Sequence, residues 1–274
     1  MAAARATALT PNFAAHYLSL LYRWRHGRWP DQARPRRFTE WVQWRKLNDR
    51  CVARARLTDK RHGKELAAAI LGPEMVVPTL WHGQVLPAVA PWPMPFMVKA
   101  NHGCGQCLVV RDAADWRRAR RITRGWVAGR YGAWLAEWHY RNAEPGIIVE
   151  PLLATANPLP LDYKIYVFGG RAAIIQLHEG RGGVDHRWTQ FSRDWRPLSR
   201  QTSDCPAPVS LAAMLAAAEQ LGAGHDFLRV DFYEVDGRPL FGEFCLFPGS
   251  GLDPFNPVSL DDWLGDLWSA QVTV

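Results

Sequence analysis

Arg229, Asp231 and Glu243 combine residue types and spacing that suggest chemistry. Arg229-Val-Asp231 reads as part of a strand, and residues two apart on a strand project to one face. An Asp236-Gly237 turn signal folds the next strand back, so that Glu243 comes to lie beside them. Two carboxylates on adjacent strands, completed by water and phosphate oxygens, suit Mg²⁺. A neighbouring guanidinium can hold a carboxylate or stabilise charge on a transferred phosphoryl group. The same residues could form a cross-strand salt bridge on a solvated sheet face. The flanking Phe227, Leu228, Val230, Phe232, Leu240, Phe241 and Phe244 argue for the metal site, since carboxylates among apolar neighbours are costly unless a cation offsets the burial.

A second constellation is the run VKANHGCGQC over residues 98–107. Gly103 and Gly105 free the backbone to approach a ligand, and successive amides there can cradle a phosphate with Lys99 at the edge. A plain tight hairpin is one alternative. Cys104-Gly-Gln-Cys107 also has redox spacing, and His102 with the two cysteines could suggest zinc. A redox pair normally opens a helix, whereas Cys107 begins an apolar strand-like run, and no second Cys/His pair stands at metal spacing. Glu150 ends the strand-like GIIVEPLL before a Pro151 hinge, which leaves backbone groups for an adenine edge or simply links two lobes. The Gly-rich FPGSG turn (247–251) could bind an oxyanion or be an ordinary turn.

Charge composition sharpens these candidates. The chain has 274 residues, 33 Lys plus Arg against 26 Asp plus Glu, and a formal net charge of +7. Only Lys46, Lys60, Lys64, Lys99 and Lys164 are lysines; the other basic residues are arginines. In a chain that uses Arg by default, each Lys marks a place where a compact point charge is wanted. The basic balance suits a phosphorylated ligand, an anionic membrane face or nucleic acid, but no basic block interleaved with aromatics supports nucleic acid. Five cysteines without framework spacing fit a reducing, cytoplasmic setting. Residues 13–28 form a basic amphipathic helix, either packed on the body or touching a membrane surface.

The elements that must position these residues follow from periodicity and turn signals. Helices are expected over 13–25, 39–49 and 59–71, a strand over Met75–Leu80, and mostly helix over 113–140 with breaks near Gly125 and Gly129. Trp41 and Trp44 share a helix face. The second half reads as a strand over 146–153, a hairpin over 162–181 turning at Gly169-Gly170, a helix over 209–221, a hairpin over 227–247 and a helix over 258–270. This is an α+β pattern of antiparallel hairpins, not regular βαβ winding. Trp188 and Trp195, around Arg193, are candidates for a groove on which sugars stack.

In this order, the motifs LTDKRHGKE (57–65), VKANHGCG (98–105), IIVEPLL (147–153), DYKIYVFGG (162–170), RVDFYEVDGRPLFGE (229–243) and PGSG (248–251) resemble the ATP-grasp superfamily, in particular its TupA-like branch. The resemblance spans roughly residues 38–268. It implies two α+β lobes whose antiparallel sheets clasp ATP, with a helical segment over 1–56, a phosphate-loop lobe over 57–150 and a metal-site lobe over 151–274. It further implies that Lys60 and Lys99 contact phosphates under the loop of His102, Gly103, Cys104 and Gly105. Glu150, Leu152 and Leu153 would frame adenine, Asp162 would lie near the ribose and Lys164 near phosphate or substrate. Asp231 and Glu243 would hold Mg²⁺, and Arg229 would face the transferred phosphoryl. The implied reaction joins a small-molecule or saccharide carboxylate to an amine through an acyl phosphate. A kinase using Asp162, Asp185, His178 or Glu179 as base, or an inactive ATP-binding scaffold, are the alternatives. Many relatives carry Glu-x-Asn where this chain has Cys245, and a thiol is a poor magnesium ligand.

Overall fold

The computed structural model describes residues 11–153, 159–180 and 186–272. Four helices come first: α1 (Pro11–His26), α2 (Phe38–Asn48), the single turn α3 (Val52–Ala55) and α4 (Lys60–Leu71). Asp59 caps α4 by accepting a hydrogen bond from the His62 amide at 3.0 Å, which fixes Lys60 at the first helical position. Strands β1 (Trp81–Gly83), β2 (Phe96–Ala100), β3 (Cys107–Val110) and β4 (Ile147–Pro151) form one antiparallel sheet in the order β1-β4-β2-β3, with α5 (Ala113–Ala128) between β3 and β4. Strands β5 (Asp162–Phe168), β6 (Arg171–Glu179), β7 (Arg187–Ser192), β8 (Phe227–Val235) and β9 (Arg238–Cys245) form a second antiparallel sheet, ordered β7-β6-β5-β8-β9. Helix α6 (Leu211–Gly222) packs on β5, β6 and β8, and α7 (Val258–Ser269) packs on α2.

Both expected hairpins form where expected. Gly169 and Gly170 have φ of +55° and +80°, and Asp236 and Gly237 have +50° and +70°, the left-handed backbone that a tight two-residue turn requires. Two expectations fail. Residues 75–80 are not a strand: Pro73–Met75 is a 3-10 turn, Val76 makes one isolated parallel bridge to Phe241, and bonding to β4 begins only at Leu80, whose amide donates to the Val149 carbonyl at 2.8 Å. Pro73 and Pro78 withhold the amides a longer ladder needs. Helix α5 runs straight through Gly125 and stops at Ala128, after which Ala133–Leu135 and Trp138–Asn142 are short 3-10 turns.

The larger core joins the five-stranded sheet to the N-terminal helices. Phe38 of α2 meets Phe227 edge-on at 4.9 Å, and Phe227 meets Trp268 of α7 at 4.5 Å. Trp41 is buried, and its ring lies 5.4 Å from that of Trp44, as their shared helix face requires. Phe96, Val98, Val149 and Trp116 form a smaller core under the other sheet. Burying these faces leaves the opposite faces of β2, β4, β5 and β8 to carry the charged residues.

Candidate active site

Registration of the second sheet creates a polar row. Gln190, Gln176, Lys164, Asp231 and Glu243 are successive partners across β7, β6, β5, β8 and β9, so they share one face. Glu243 reaches that face because of a bulge: Asp231 pairs with Glu243, but Phe232 pairs with Phe241, leaving Gly242 as the extra residue. A side chain on Gly242 would bring its Cβ to 2.9 Å from the Tyr233 ring, so the bulge depends on glycine there. Without the bulge, Phe241 and Glu243 would point the same way.

The row is densely ion-paired. Arg229 grips Asp231 with two parallel bonds, Nε to Oδ1 and Nη2 to Oδ2, both 2.7 Å. Lys164 Nζ lies 2.7 Å from Asp231 Oδ2 and 2.5 Å from Asp162 Oδ2. Lys60 Nζ reaches across from α4 to Glu243 Oε2 at 3.0 Å. Burial alone would raise the Glu243 pKa, but Lys60, Lys164 and Lys99 outweigh it and hold the group at about 2. Lys164 moves the other way: burial lowers its affinity for a proton, while Asp162 and Asp231 more than restore it.

On the four-stranded sheet the pattern inverts. Glu150 pairs in register with Met97, placing its carboxylate on the face that also carries Lys99. Its two oxygens are taken by Lys64 Nζ at 2.5 Å and Lys99 Nζ at 2.6 Å. Despite its burial Glu150 is thereby held ionised, its pKa lowered by the two lysines. Both Glu150 oxygens are thus engaged by lysines, so its side chain clamps Lys64 and Lys99 while the residue still lines the adjoining cleft. Leu152 and Leu153, just beyond, do line the adjoining cleft.

Lys60 Nζ also hydrogen-bonds the Gly103 carbonyl, tying α4 to the 102–106 loop. Gly105 sits at φ +72°, and Cys104 is exposed at the loop tip. His102 is buried at the base of the loop. Its Nδ1 accepts from the Gly146 amide at 3.3 Å and its Nε2 donates to the Trp126 carbonyl at 3.0 Å, so it is a buried anchor for the loop's base. Cys104 and Cys107 are both free thiols, and among the described residues no group of three or more His, Cys, Asp or Glu is arranged as a metal site.

Between the sheets lies a cleft of about 1600 Å³. Met97, Leu108, Leu152, Leu153 and Leu161 make an apolar end, while Lys99, Glu150 and Gly105 bring it to the lysines and the loop. Asp231 and Glu243 offer the two adjacent carboxylates with which Mg²⁺ engages proteins beside phosphate oxygens, so the donor set fits that ion. Cys245 pairs with Arg229 on the next row, and burial pushes its thiol up to about 12, leaving it a neutral neighbour.

The scarcity of lysine also marks Lys46 and Lys64. All five lysine side chains are between 0% and 15% exposed and none is a solvated surface charge. Lys64 belongs to the Glu150 clamp, and Lys46 holds the Gly-rich turn through the Ser250 carbonyl at 2.7 Å and hydroxyl at 2.6 Å. Trp188 and Trp195 do not form a common groove. Trp195 stacks on the core residue Phe191 at 4.2 Å, while Trp188 stacks on His178, and Arg193 is committed to Glu219 and the Ala172 carbonyl.

Two antiparallel sheets with helices on their outer faces and charged residues facing a common cleft define an ATP-grasp fold. The chain belongs to the TupA-like ATP-grasp family, whose model, described as "TupA-like ATPgrasp", matches residues 40–269. A search of curated proteins finds no significant match. Among solved structures, a D-alanine–D-alanine ligase from Bacillus anthracis complexed with ATP is 15% identical with a TM-score of 0.47, covering 79% of this chain and 63% of its own. An L-amino acid ligase from Bacillus licheniformis is 13% identical with a TM-score of 0.48, covering 79% and 50%. The D-cycloserine synthetase DcsG is 18% identical with a TM-score of 0.47, covering 85% and 76%. This chain thus spans about half to three quarters of the length of these proteins, and the likeness is too low to carry their activities across.

Proposed function

We propose that this protein is an ATP-dependent carboxylate–amine ligase acting in the assembly of a cell-surface polysaccharide or natural product. The observation that carries the reading is the meeting of two opposed charge clusters from the two sheets, with Lys60 Nζ 3.0 Å from Glu243: Lys60, Lys64 and Lys99 on one side, Asp231 and Glu243 on the other. In this reading residues 57–150 supply the phosphate loop and 151–274 the metal site. Adenine lies against Met97, Leu152 and Leu153, with Asp162 toward the ribose. Asp231 and Glu243 hold Mg²⁺, which would neutralise phosphate charge.

The chain's own residues then act mainly by positioning and electrostatics. Lys60 and Lys99 orient the β- and γ-phosphates under the Gly103–Gly105 loop. The substrate carboxylate attacks the γ-phosphorus and ADP leaves, with Arg229 and Lys164 stabilising charge on the moving phosphoryl group. The amine then attacks the acyl carbon, phosphate leaves, and the amine's surplus proton passes to solvent. Hydroxylamine trapping tests this: incubation with Mg-ATP and a panel of carboxylates gives a hydroxamate and stoichiometric ADP. Absence of hydroxamate from every carboxylate, with ATP still bound, rejects the ligase.

The kinase alternative is weakened by its candidate bases. Asp162 is paired with Lys164, and Glu179 with Arg187. Burial and Lys164 push His178 down to about 2, which makes its imidazole a poor proton acceptor. Asp185 lies outside the described residues. Contact of α1 with an anionic membrane completes the proposal: Phe13 and Leu20 are exposed beside Arg23, and among the described residues no helix is long and apolar enough to cross a membrane. Co-sedimentation with anionic but not zwitterionic vesicles is the expected result.

A further inference from the structure

A second cavity, of about 400 Å³, lies next to Cys104 on the phosphate loop and shares no lining residue with the nucleotide cleft. Its volume is in the range of small-molecule sites. Its walls come from four places: α1 through Trp24, the segment after α5 through Tyr131, Trp134 and Tyr140, the second sheet through Arg229 and Cys245, and the Gly-rich turn through Ser250. Tyr131 also abuts the loop, since a Cβ on Gly103 would lie 3.1 Å from its ring.

Three features define what this cavity suits. First, its carboxylates are already engaged: Glu137 accepts from the Ser250 hydroxyl at 2.6 Å with Lys46 at 3.9 Å, and Asp253 faces Arg25 at 3.6 Å. Second, Arg229 uses Nε and Nη2 on Asp231, while its Nη1 makes no hydrogen bond among the described residues. That leaves a cationic donor in the wall, next to the row proposed to carry out phosphoryl transfer. Third, two indoles at the cavity are unusually open, Trp24 at 76% and Trp134 at 62% exposure, with the Arg25 guanidinium over one face of Trp24 at 5.6 Å. Large flat apolar faces left in water gain most from covering by a ligand ring. A hydroxyl-rich saccharide needs several free polar partners, whereas Glu137 is buried and bonded and Asp253 is shared with Arg25.

We infer that this cavity is the acceptor subsite and that it selects a carboxylate carrying an apolar aromatic body. The carboxylate faces Arg229 Nη1 and the ring lies between Trp24 and Trp134. This rests on the ligase reading for the fate of the carboxylate, but not for its binding. Both tryptophans are exposed, so replacing them does not threaten the fold.

The test measures binding to the full chain with Mg²⁺ and a non-hydrolysable ATP analogue, by calorimetry. The probes are 3-phenylpropionate, D-glucuronate and D-alanine. We expect 3-phenylpropionate to bind at least about tenfold more tightly than the other two, and W24A or W134A each to weaken it about three- to tenfold with the nucleotide analogue's affinity unchanged. Equal or tighter binding of D-glucuronate or D-alanine, no binding of 3-phenylpropionate, or tryptophan variants that leave its affinity unchanged would each overturn the assignment. Hydroxylamine trapping separates the two claims. Tight 3-phenylpropionate binding without hydroxamate rejects the ligase and keeps the pocket; hydroxamate from D-glucuronate or D-alanine alone rejects the pocket and keeps the ligase.

Discussion

The two sheets carry opposite charge excesses, which meet where Lys60 pairs with Glu243. On the four-stranded side Lys64 and Lys99 grip one carboxylate, Glu150, and Lys60 of α4 is bonded to the loop at Gly103. On the five-stranded side three carboxylates, Asp162, Asp231 and Glu243, surround two cations, Lys164 and Arg229. Each cluster is internally bonded, so neither leaves an isolated buried charge, yet each keeps a surplus of one sign. A polyphosphate complements the first surplus and a divalent cation the second. The clusters also differ in rigidity. Glu150 is held by lysines on a helix and a strand, whereas Asp231 is held by residues of its own and the adjacent strand. Lys60, bonded to both Gly103 and Glu243, links the two sides.

The sharpest way to break this comparison is to remove the single acid of the cationic side. Glu150→Gln leaves the buried Lys64 and the partly buried Lys99 beside a neutral amide, and loss of one partner of a buried ion pair costs about 3–5 kcal/mol. Urea unfolding at neutral pH should show a loss of that size, with Glu150→Gln/Lys64→Met recovering part of it. A loss below about 1 kcal/mol, the range of surface pairs, would mean the clamp is solvated. Next in size is the contrast between the sides. Asp231→Asn should lower ADP release about 10²–10³-fold, with the circular dichroism spectrum preserved. Lys99→Ala should instead raise KM for ATP about tenfold while changing kcat less. If both variants altered the same kinetic parameter equally, the division of labour between the sheets would be wrong. Unchanged turnover in Asp231→Asn would remove the metal assignment itself.

The unequal legibility of the two clusters in the sequence has a physical cause. The acidic side is local: Arg229, Asp231 and Glu243 sit on one hairpin whose turn is marked by Asp236-Gly237, so strand periodicity alone brings them near one another. The bulge at Gly242, which actually aligns Glu243 with Asp231, has no such mark. The cationic side is assembled from α4, β2 and β4, and no local pattern says that Lys64 meets Glu150. Lysine scarcity was the available clue, and it pointed to Lys46 and Lys64 as strongly as to Lys99. Strand β7, RWTQFS, is missed because its outer residues are polar and its place at the sheet edge is decided by pairing with β6. The cavity at Trp24 and Trp134 was equally hidden, since it joins α1 to a segment more than a hundred residues away.

A smaller effect sharpens the comparison through pH. Glu243 titrates at about 2 in the folded chain, against 4.5 for an ordinary glutamate. A carboxylate with a depressed folded value binds fewer protons folded than unfolded between those limits, so its contribution to stability is complete above pH 4.5 and is lost as the pH falls toward 2. Glu150, also depressed, adds to the same acid limb. Glu243→Gln should therefore flatten the decline of melting temperature between pH 4.5 and 2 relative to the parent chain. It should do so without the large neutral-pH destabilisation of Glu150→Gln, because the Glu243 side chain is 25% exposed and its partner Lys60 retains the Gly103 carbonyl. Parallel melting curves for Glu243→Gln and the parent across that window would show that Lys60 does not hold Glu243 ionised, and that the bridge between the two clusters is not formed in solution.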